Sequence, residues 1–143
     1  MGSSKSMKVV IVDNAPDLLD KLSGIFRSME GVELLGKFEE AVAVVEFVKE
    51  NPVDMVFTDI VMPDISGISL ATELHKLPDP PAVVLMSSIP GFSLEAWKIM
   101  AFAFLEKPYT RAQVVQLVNR YRKEKETMEA DRKLANCRTN NSN

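Results

Sequence analysis

Residues 54–67 read DMVFTDIVMPDISG, and this stretch predicts a buried strand that ends at an acidic residue. The apolar run 55–57 is typical of a strand, and it stops at Asp59. Pro63 and Gly67 then predict a sharp turn toward a helix, because both residue types favour turns. In open parallel sheets, ligands bind at the edge where the strands end. Asp59 is therefore the first candidate functional residue, although an isolated aspartate at such a position more often forms a turn or caps a helix.

Four other apolar runs predict strands, at Met7–Val12, Val32–Phe38, Ala82–Met86 and Phe102–Leu105. The segments between them predict helices, the first ending at Gly31 and the fourth spanning Phe92–Met100. A capping box at residues 110–113 predicts the start of the last helix. Residues 39–51 are rich in valine, which favours a strand, but the regular alternation of elements favours a helix. Five strands alternating with five helices predict an α/β fold: a doubly wound five-stranded parallel sheet of flavodoxin-like order 2-1-3-4-5, with helices on both faces.

Length and composition predict one globular domain without disulfides. The chain has 143 residues and a net charge of −3, which gives no general attraction to nucleic acid or to a membrane. Its single cysteine and the lack of a long apolar run predict a cytoplasmic protein. Residues 1–6 are interpreted as a tag remnant or disordered start, 7–122 as the domain, and 123–143 as a charged helical extension with a disordered tail that begins at Asn136. Pairing of this extension with a second copy is left open.

The predicted carboxyl edge of the sheet collects polar residues from four strand ends: Asp13 and Asn14, Asp59, Ser87, and Lys107. Oxygen side chains are the ligands that Mg²⁺ prefers. An aspartate beside Mg²⁺ and a lysine can accept a phosphoryl group, because the cations neutralise the transferred oxygens. The set therefore predicts a site for a divalent cation and a phosphoryl group.

These residues, in this order, resemble the receiver domain of two-component response regulators, over Lys8 to about Arg122. The resemblance implies that Asp59 is the phosphoacceptor and that a sensor histidine kinase or phosphotransfer protein is the donor. It implies Mg²⁺ as cofactor, held by Asp13, Asn14, Asp59, the Val61 backbone carbonyl and water. Ser87 and Lys107 match the hydroxyl and the ammonium that contact the phosphoryl group, and the Lys107–Pro108 bond is expected to be cis. Ser87 and Phe104 match the switch positions, whose movement would change the surface around Trp97, Phe102 and Tyr109.

The run LEAW at 94–97 and the spacing between Ser87 and Lys107 resemble receivers of LytTR-type regulators. No DNA-binding domain follows in this sequence, so an excised receiver and a single-domain regulator that acts through protein partners both stay open. One departure from the family is Asn14, where most receivers carry a second acid. The lost charge is expected to weaken Mg²⁺ binding tenfold or more, from the size of a charge pair at an intermediate dielectric.

Three other classes are alternatives. A pseudo-receiver, a binding module that works without phosphorylation, is favoured by Asn14. A phosphatase with an aspartate nucleophile usually has a second acid two residues later, where this chain has Val61. A dinucleotide-binding domain is disfavoured because no G-x-G-x-x-G follows the first strand. The receiver is the interpretation that accounts for the whole set, as a signalling phosphoacceptor rather than an enzyme.

Overall fold

The computed structural model describes residues 6–89 and 101–141, with side chains as far as Ala135. The strands are β1 (Met7–Val12), β2 (Val32–Phe38), β3 (Met55–Asp59), β4 (Ala82–Ser87) and β5 (Ala103–Glu106). The helices within the described ranges are α1 (Pro16–Arg27), α2 (Ala41–Glu50), α3 (Gly67–His75) and α4 (Arg111–Asn141). The predicted helix Phe92–Met100, which includes Trp97, lies outside the described residues.

The five strands form one parallel sheet in the order β2-β1-β3-β4-β5, which confirms the predicted doubly wound topology. The central strands are buried on both faces, so their sequences are mostly apolar, with polar residues at Lys8 and at the carboxyl ends of β3 and β4. Alternate residues of each strand enter two separate cores. Val9 and Ile11 of β1 face α1 and α4, whereas Val10 and Val12 face α2 and α3. In the described part of the chain, α1 and α4 cover one face of the sheet, and α2 and α3 cover the other.

Helix ends follow local chemistry, with one correction to the prediction. Pro16 occupies the first turn of α1, where its missing N–H costs nothing. This helix ends at Arg27 and not at Gly31. The Met29 N–H donates to the Phe26 carbonyl at 3.1 Å, an i→i−3 bond that tightens the last turn and ends the α-helical pattern. Gly31 instead adopts a φ of 73° in the turn before β2. A left-handed residue there favours glycine, which has no side chain to clash.

The last helix begins with the predicted capping box. The Thr110 N–H donates to Gln113 Oε1 at 2.8 Å, and the Gln113 N–H donates to Thr110 Oγ1 at 3.2 Å. Val114 and Val118 are fully buried, with Leu117 and Tyr121 packed beside them. The helix continues to Asn141, beyond Asn136, where the sequence predicted the beginning of a disordered tail.

Basic residues of α4 make long-range contacts that hold this helix against the rest of the domain. Lys125 Nζ lies 2.5 Å from Asp54 Oδ1, at the start of β3. Arg122 donates to the Glu30 carbonyl oxygen at 2.9 Å, and Arg120 to that of Phe102 at 2.7 Å. Contact with the body therefore reaches at least to Lys125, slightly past the predicted boundary at residue 122.

Candidate phosphoacceptor site

Lys107 brings the ends of three strands together. Its Nζ lies 2.7 Å from Asp13 Oδ2 and 3.1 Å from Asp59 Oδ2. Asp13 follows β1, Asp59 ends β3, and Lys107 follows β5. The Lys107 N–H also donates to the Ser87 carbonyl at the end of β4. Parallel pairing brings these ends to one edge, so residues distant in sequence become neighbours.

The second oxygen of each carboxylate accepts a backbone N–H. Asp13 Oδ1 accepts from Ala15 at 3.0 Å, and Asp59 Oδ1 accepts from Val61 at 3.2 Å. Asp13 is 2% exposed and Asp59 is 9% exposed, so both are largely removed from bulk water. Buried charges are tolerated when they are paired and hydrogen-bonded, and both conditions hold here. The site is therefore a fixed pair of acids with one ammonium between them.

This pair of acids opens on a cavity of about 370 Å³. Its wall includes the predicted Asp13, Asn14, Asp59 and Lys107. It also includes residues that the sequence analysis did not select as site residues: Ala15, Leu18, Lys21, Ser88 and Pro108, together with Tyr109. Asn14 precedes α1, whereas Leu18 and Lys21 lie three positions apart on one face of that helix. Their place in the first turns after the strand end was the available signal for Leu18 and Lys21.

The oxygen donors at this edge fit a hard divalent cation. Two carboxylates and the exposed Asn14 amide face one cavity that also has room for water. Among the described residues, no group of three or more His, Cys, Asp or Glu side chains could hold a metal ion. Amide, carbonyl or water oxygens would therefore have to complete a Mg²⁺ shell. Val61 turns its N–H toward Asp59, and the predicted role of its carbonyl stays a prediction.

The two predicted switch residues lie next to the site in different environments. Ser87 is 1% exposed, and its Oγ accepts from the Ile89 N–H at 3.0 Å. Ser88 forms the cavity wall on this side. Phe104 is partly buried against the core formed by α2 and α3. The Lys107–Pro108 bond is cis, as predicted.

Tyr109 is a buried wall of the cavity and not the surface residue that the sequence analysis expected. It is 6% exposed, and Lys21 Nζ lies 5.6 Å from its ring centroid. Burial, followed by the negative charges of Asp13 and Asp59, raises the pKa of Tyr109 to about 12. The phenol is therefore neutral at physiological pH.

The loop after Asp59 is held by two contacts that depend on tertiary structure. Asp64 accepts the N–H groups of Ala41 at 3.1 Å and Val42 at 2.8 Å, and so caps α2, whose own Glu40 does not. Its slight burial would raise the pKa of Asp64, but these and local backbone hydrogen bonds lower it below its usual value. The Gly67 N–H donates to the Ile60 carbonyl at 2.8 Å. These contacts connect the Asp59 loop to two helices.

A family model for the response regulator receiver domain matches residues 9–119. The chain belongs to this family. It is thus a receiver domain of two-component signal transduction, a class of signalling phosphoacceptors rather than classical enzymes. The predicted resemblance is confirmed over most of the chain.

This receiver domain is similar to parts of longer regulators. It is 29% identical over 121 residues to the sensory transduction protein LytT of Bacillus anthracis, covering 85% of this chain and 49% of LytT. It is 27% identical over 114 residues to the transcriptional regulatory protein YpdB of Escherichia coli K12, covering 80% of this chain and 47% of YpdB. The receiver domain therefore spans about half the length of these relatives. Both are LytTR-type regulators, in agreement with the predicted subfamily.

Solved receiver structures have the same fold. The response regulatory domain of MrkE from Klebsiella pneumoniae matches with a TM-score of 0.78 and 26% identity, over 85% of this chain and 99% of that one. A CheX–CheY complex from Borrelia burgdorferi, crystallised with BeF₃ and Mg²⁺, matches with a TM-score of 0.72 and 27% identity, over 78% and 86% of the chains. Among the described helices of the receiver domain, none is long and apolar enough to cross a membrane.

Proposed function

We propose that Asp59 is the phosphoacceptor of this receiver domain and that a phosphohistidine of a sensor histidine kinase or phosphotransfer protein is the donor. The observation that supports this proposal is the Lys107 ammonium, which contacts both Asp13 and Asp59 at the mouth of a cavity. An ammonium in that place can neutralise the oxygens of an incoming phosphoryl group.

In the proposed reaction, an Asp59 carboxylate oxygen attacks phosphorus while the phosphorus–nitrogen bond to the donor imidazole breaks. The electron pair of that bond returns to the imidazole, and an acyl phosphate forms on Asp59. Lys107 stays close enough to contact the transferred oxygens, and the Val61 N–H orients the carboxylate. Bound Mg²⁺, held by Asp13, Asn14, Asp59 and the Val61 carbonyl, would supply further positive charge.

The proposed output is a shift between two packings of the Ser87 and Phe104 side chains. A phosphoryl group on Asp59 adds negative charge beside the end of β4 and provides acceptors for a hydroxyl. Ser87 would exchange its contact with the Ile89 backbone for one with the phosphoryl group. Phe104, on the neighbouring strand and only partly buried, would then move inward.

Intact-protein mass after incubation with acetyl phosphate tests this proposal. We expect one added phosphoryl group in the parent with Mg²⁺, none in Asp59→Asn, and a parental result in the control Asp64→Asn, which retains a capping side chain five residues away. An Asn14→Asp variant should bind Mg²⁺ tenfold or more tightly than the parent. An adduct that persists in Asp59→Asn would contradict the assignment of the phosphoacceptor.

The alternative function is that of a pseudo-receiver, which binds partners without being phosphorylated. The neutral Asn14 at the mouth of the cavity is the feature that favours it. A parent protein without an adduct at any Mg²⁺ concentration, after rapid quenching, would support this alternative.

A further inference from the structure

We infer that Lys21 is a second phosphoryl-recognising cation of this site, acting with Lys107 and offsetting part of the need for Mg²⁺. The inference rests on the proposed function of Asp59 and adds a residue that none of the predicted motifs contains.

Lys21 shares the cavity with the candidate phosphoacceptor. Its side chain and those of Asp13, Asp59 and Lys107 line the same space of about 370 Å³. It projects from α1, two turns after Asn14, whereas Lys107 approaches from β5. The two ammonium groups therefore belong to different walls. A phosphoryl group that enters between them would have a cation within reach on two sides.

The face of a buried aromatic ring steers the Lys21 ammonium. Lys21 Nζ lies 5.6 Å from the centroid of the Tyr109 ring, and Tyr109 itself lines the cavity. A cation over an aromatic face is attracted by the negative charge of that face. Within the described part of the chain, no acidic group lies within ion-pair distance of Lys21 Nζ. Lys21 is exposed, and its ammonium lies beside the cavity wall without an ion pair in the described part of the chain.

The charge of the cavity agrees with this role. Its wall carries two carboxylates, Asp13 and Asp59, and two ammonium groups, Lys21 and Lys107, while Asn14 is neutral. The four charges cancel before any metal binds. An anionic phosphodonor would thus meet no net negative charge. This cavity would attract a metal cation less strongly than a cavity with three acids and one lysine would.

The test compares Lys21→Gln, Lys21→Arg and the control Arg27→Gln with the parent. Arg27→Gln removes the same charge from the last turn of the same helix. Phosphorylation by acetyl phosphate is followed by intact mass across a series of Mg²⁺ concentrations. Mg²⁺ affinity is measured separately by calorimetry without a phosphodonor.

Lys21→Gln should slow phosphorylation about fivefold at subsaturating Mg²⁺, because a cavity without the Lys21 charge attracts the anionic phosphodonor less. The same variant should bind Mg²⁺ about twofold more tightly, because that cavity also repels the metal less. These changes have opposite signs, whereas simple structural damage would weaken both. In Lys21→Arg, the phosphorylation rate and the Mg²⁺ affinity should stay within about twofold of the parent values, because the charge is kept. The same holds for Arg27→Gln, because the removed charge lies outside the cavity and is screened by salt.

The outcomes separate this inference from the proposed function. Equal phosphorylation rates and Mg²⁺ affinities in the parent and Lys21→Gln would overturn the role of Lys21 and leave Asp59 as the phosphoacceptor. A parent that binds Mg²⁺ without forming an adduct would contradict the proposed function, and the calorimetric shift would still decide whether Lys21 acts on the cavity. A parent that takes neither Mg²⁺ nor a phosphoryl group would contradict both.

Discussion

Lys107 Nζ lies 3.1 Å from Asp59 Oδ2, although the two residues are 48 positions apart in the chain. The same ammonium lies 2.7 Å from Asp13 Oδ2, a separation of 94 positions. The two carboxylates are therefore held together by one cation, and the contact that links three elements of the fold also lies at the centre of the proposed phosphoryl-transfer site.

Lys107→Met should lower the free energy of unfolding by about 2–4 kcal/mol, since breaking a buried pair leaves an uncompensated charge. Both carboxylates would then lose their shared cation and keep only the backbone N–H donors of Ala15 and Val61. Urea denaturation at neutral pH measures the loss. The control is Lys37→Met, which breaks the exposed 3.5 Å pair with Asp20 and should cost less than about 1 kcal/mol. Equal losses in the two variants would contradict the importance of the buried contact.

Gly67→Ala should destabilise the domain by about 3 kcal/mol, at the upper end of the cost of overpacking. A Cβ at Gly67 would lie 2.2 Å from the Asp59 carbonyl oxygen and 2.9 Å from Ile60 Cα, both backbone atoms that cannot rotate away. Gly24 in the middle of α1 is the matched control, because a Cβ there meets nothing within 4 Å. Gly24→Ala should stabilise the helix by about 0.5–1 kcal/mol.

Thermal or urea unfolding of the two glycine variants separates these effects. Only Gly67→Ala should also slow phosphorylation, since the clash falls on the backbone of Asp59. A Gly67→Ala variant as stable as the parent would show that the loop relaxes without cost.

Asp64→Ala should lower the free energy of unfolding by about 1–2 kcal/mol, the usual effect of losing a helix cap. Asp64→Asn should lose less, because an amide oxygen can still accept from α2. The pKa of Asp64 in the fold is below its ordinary value of 3.8. Its contribution to stability is therefore fully present above pH 3.8 and is lost as the pH falls through the lowered pKa.

Unfolding curves of the parent and Asp64→Ala at neutral and acidic pH test this dependence. The difference between the proteins should shrink below pH 3.8. A difference that is unchanged in acid would show that the carboxylate charge contributes nothing to the cap.

Tyr109 should release its proton near pH 12, two units above the ordinary tyrosine value of 10.0. Because the folded pKa is raised, the corresponding stability is fully present below pH 10.0 and is lost as the pH rises toward 12. Phenolate absorbance during a pH titration measures this step, and Tyr109→Phe identifies it. If the phenolate absorbance of Tyr109→Phe above about pH 11 equalled that of the parent, the assignment to Tyr109 would be wrong.

Much of the fold could be predicted because the central strands are buried on both faces. A strand such as β1 is then apolar at every position except Lys8, and its polar neighbour Asp13 marks where it ends. All five strand positions and the capping box of α4 followed from such local patterns, and the parallel arrangement followed from the alternation of strands and helices along the chain. The end of α1 did not, because Gly31 was the recognisable stop signal, whereas the change to an i→i−3 bond at Met29 leaves no mark in the sequence.

The sequence by itself determined which side chains come to the carboxyl edge, because each strand ends where an apolar run gives way to polar residues. It did not determine which of them touch. The tertiary structure decided that Lys107 contacts both acids, that Asp64 caps α2, and that Lys21 and Tyr109 close the same cavity. These contacts join segments that are far apart in the chain, and their distances depend on how helices pack on the sheet. No local pattern carries that information.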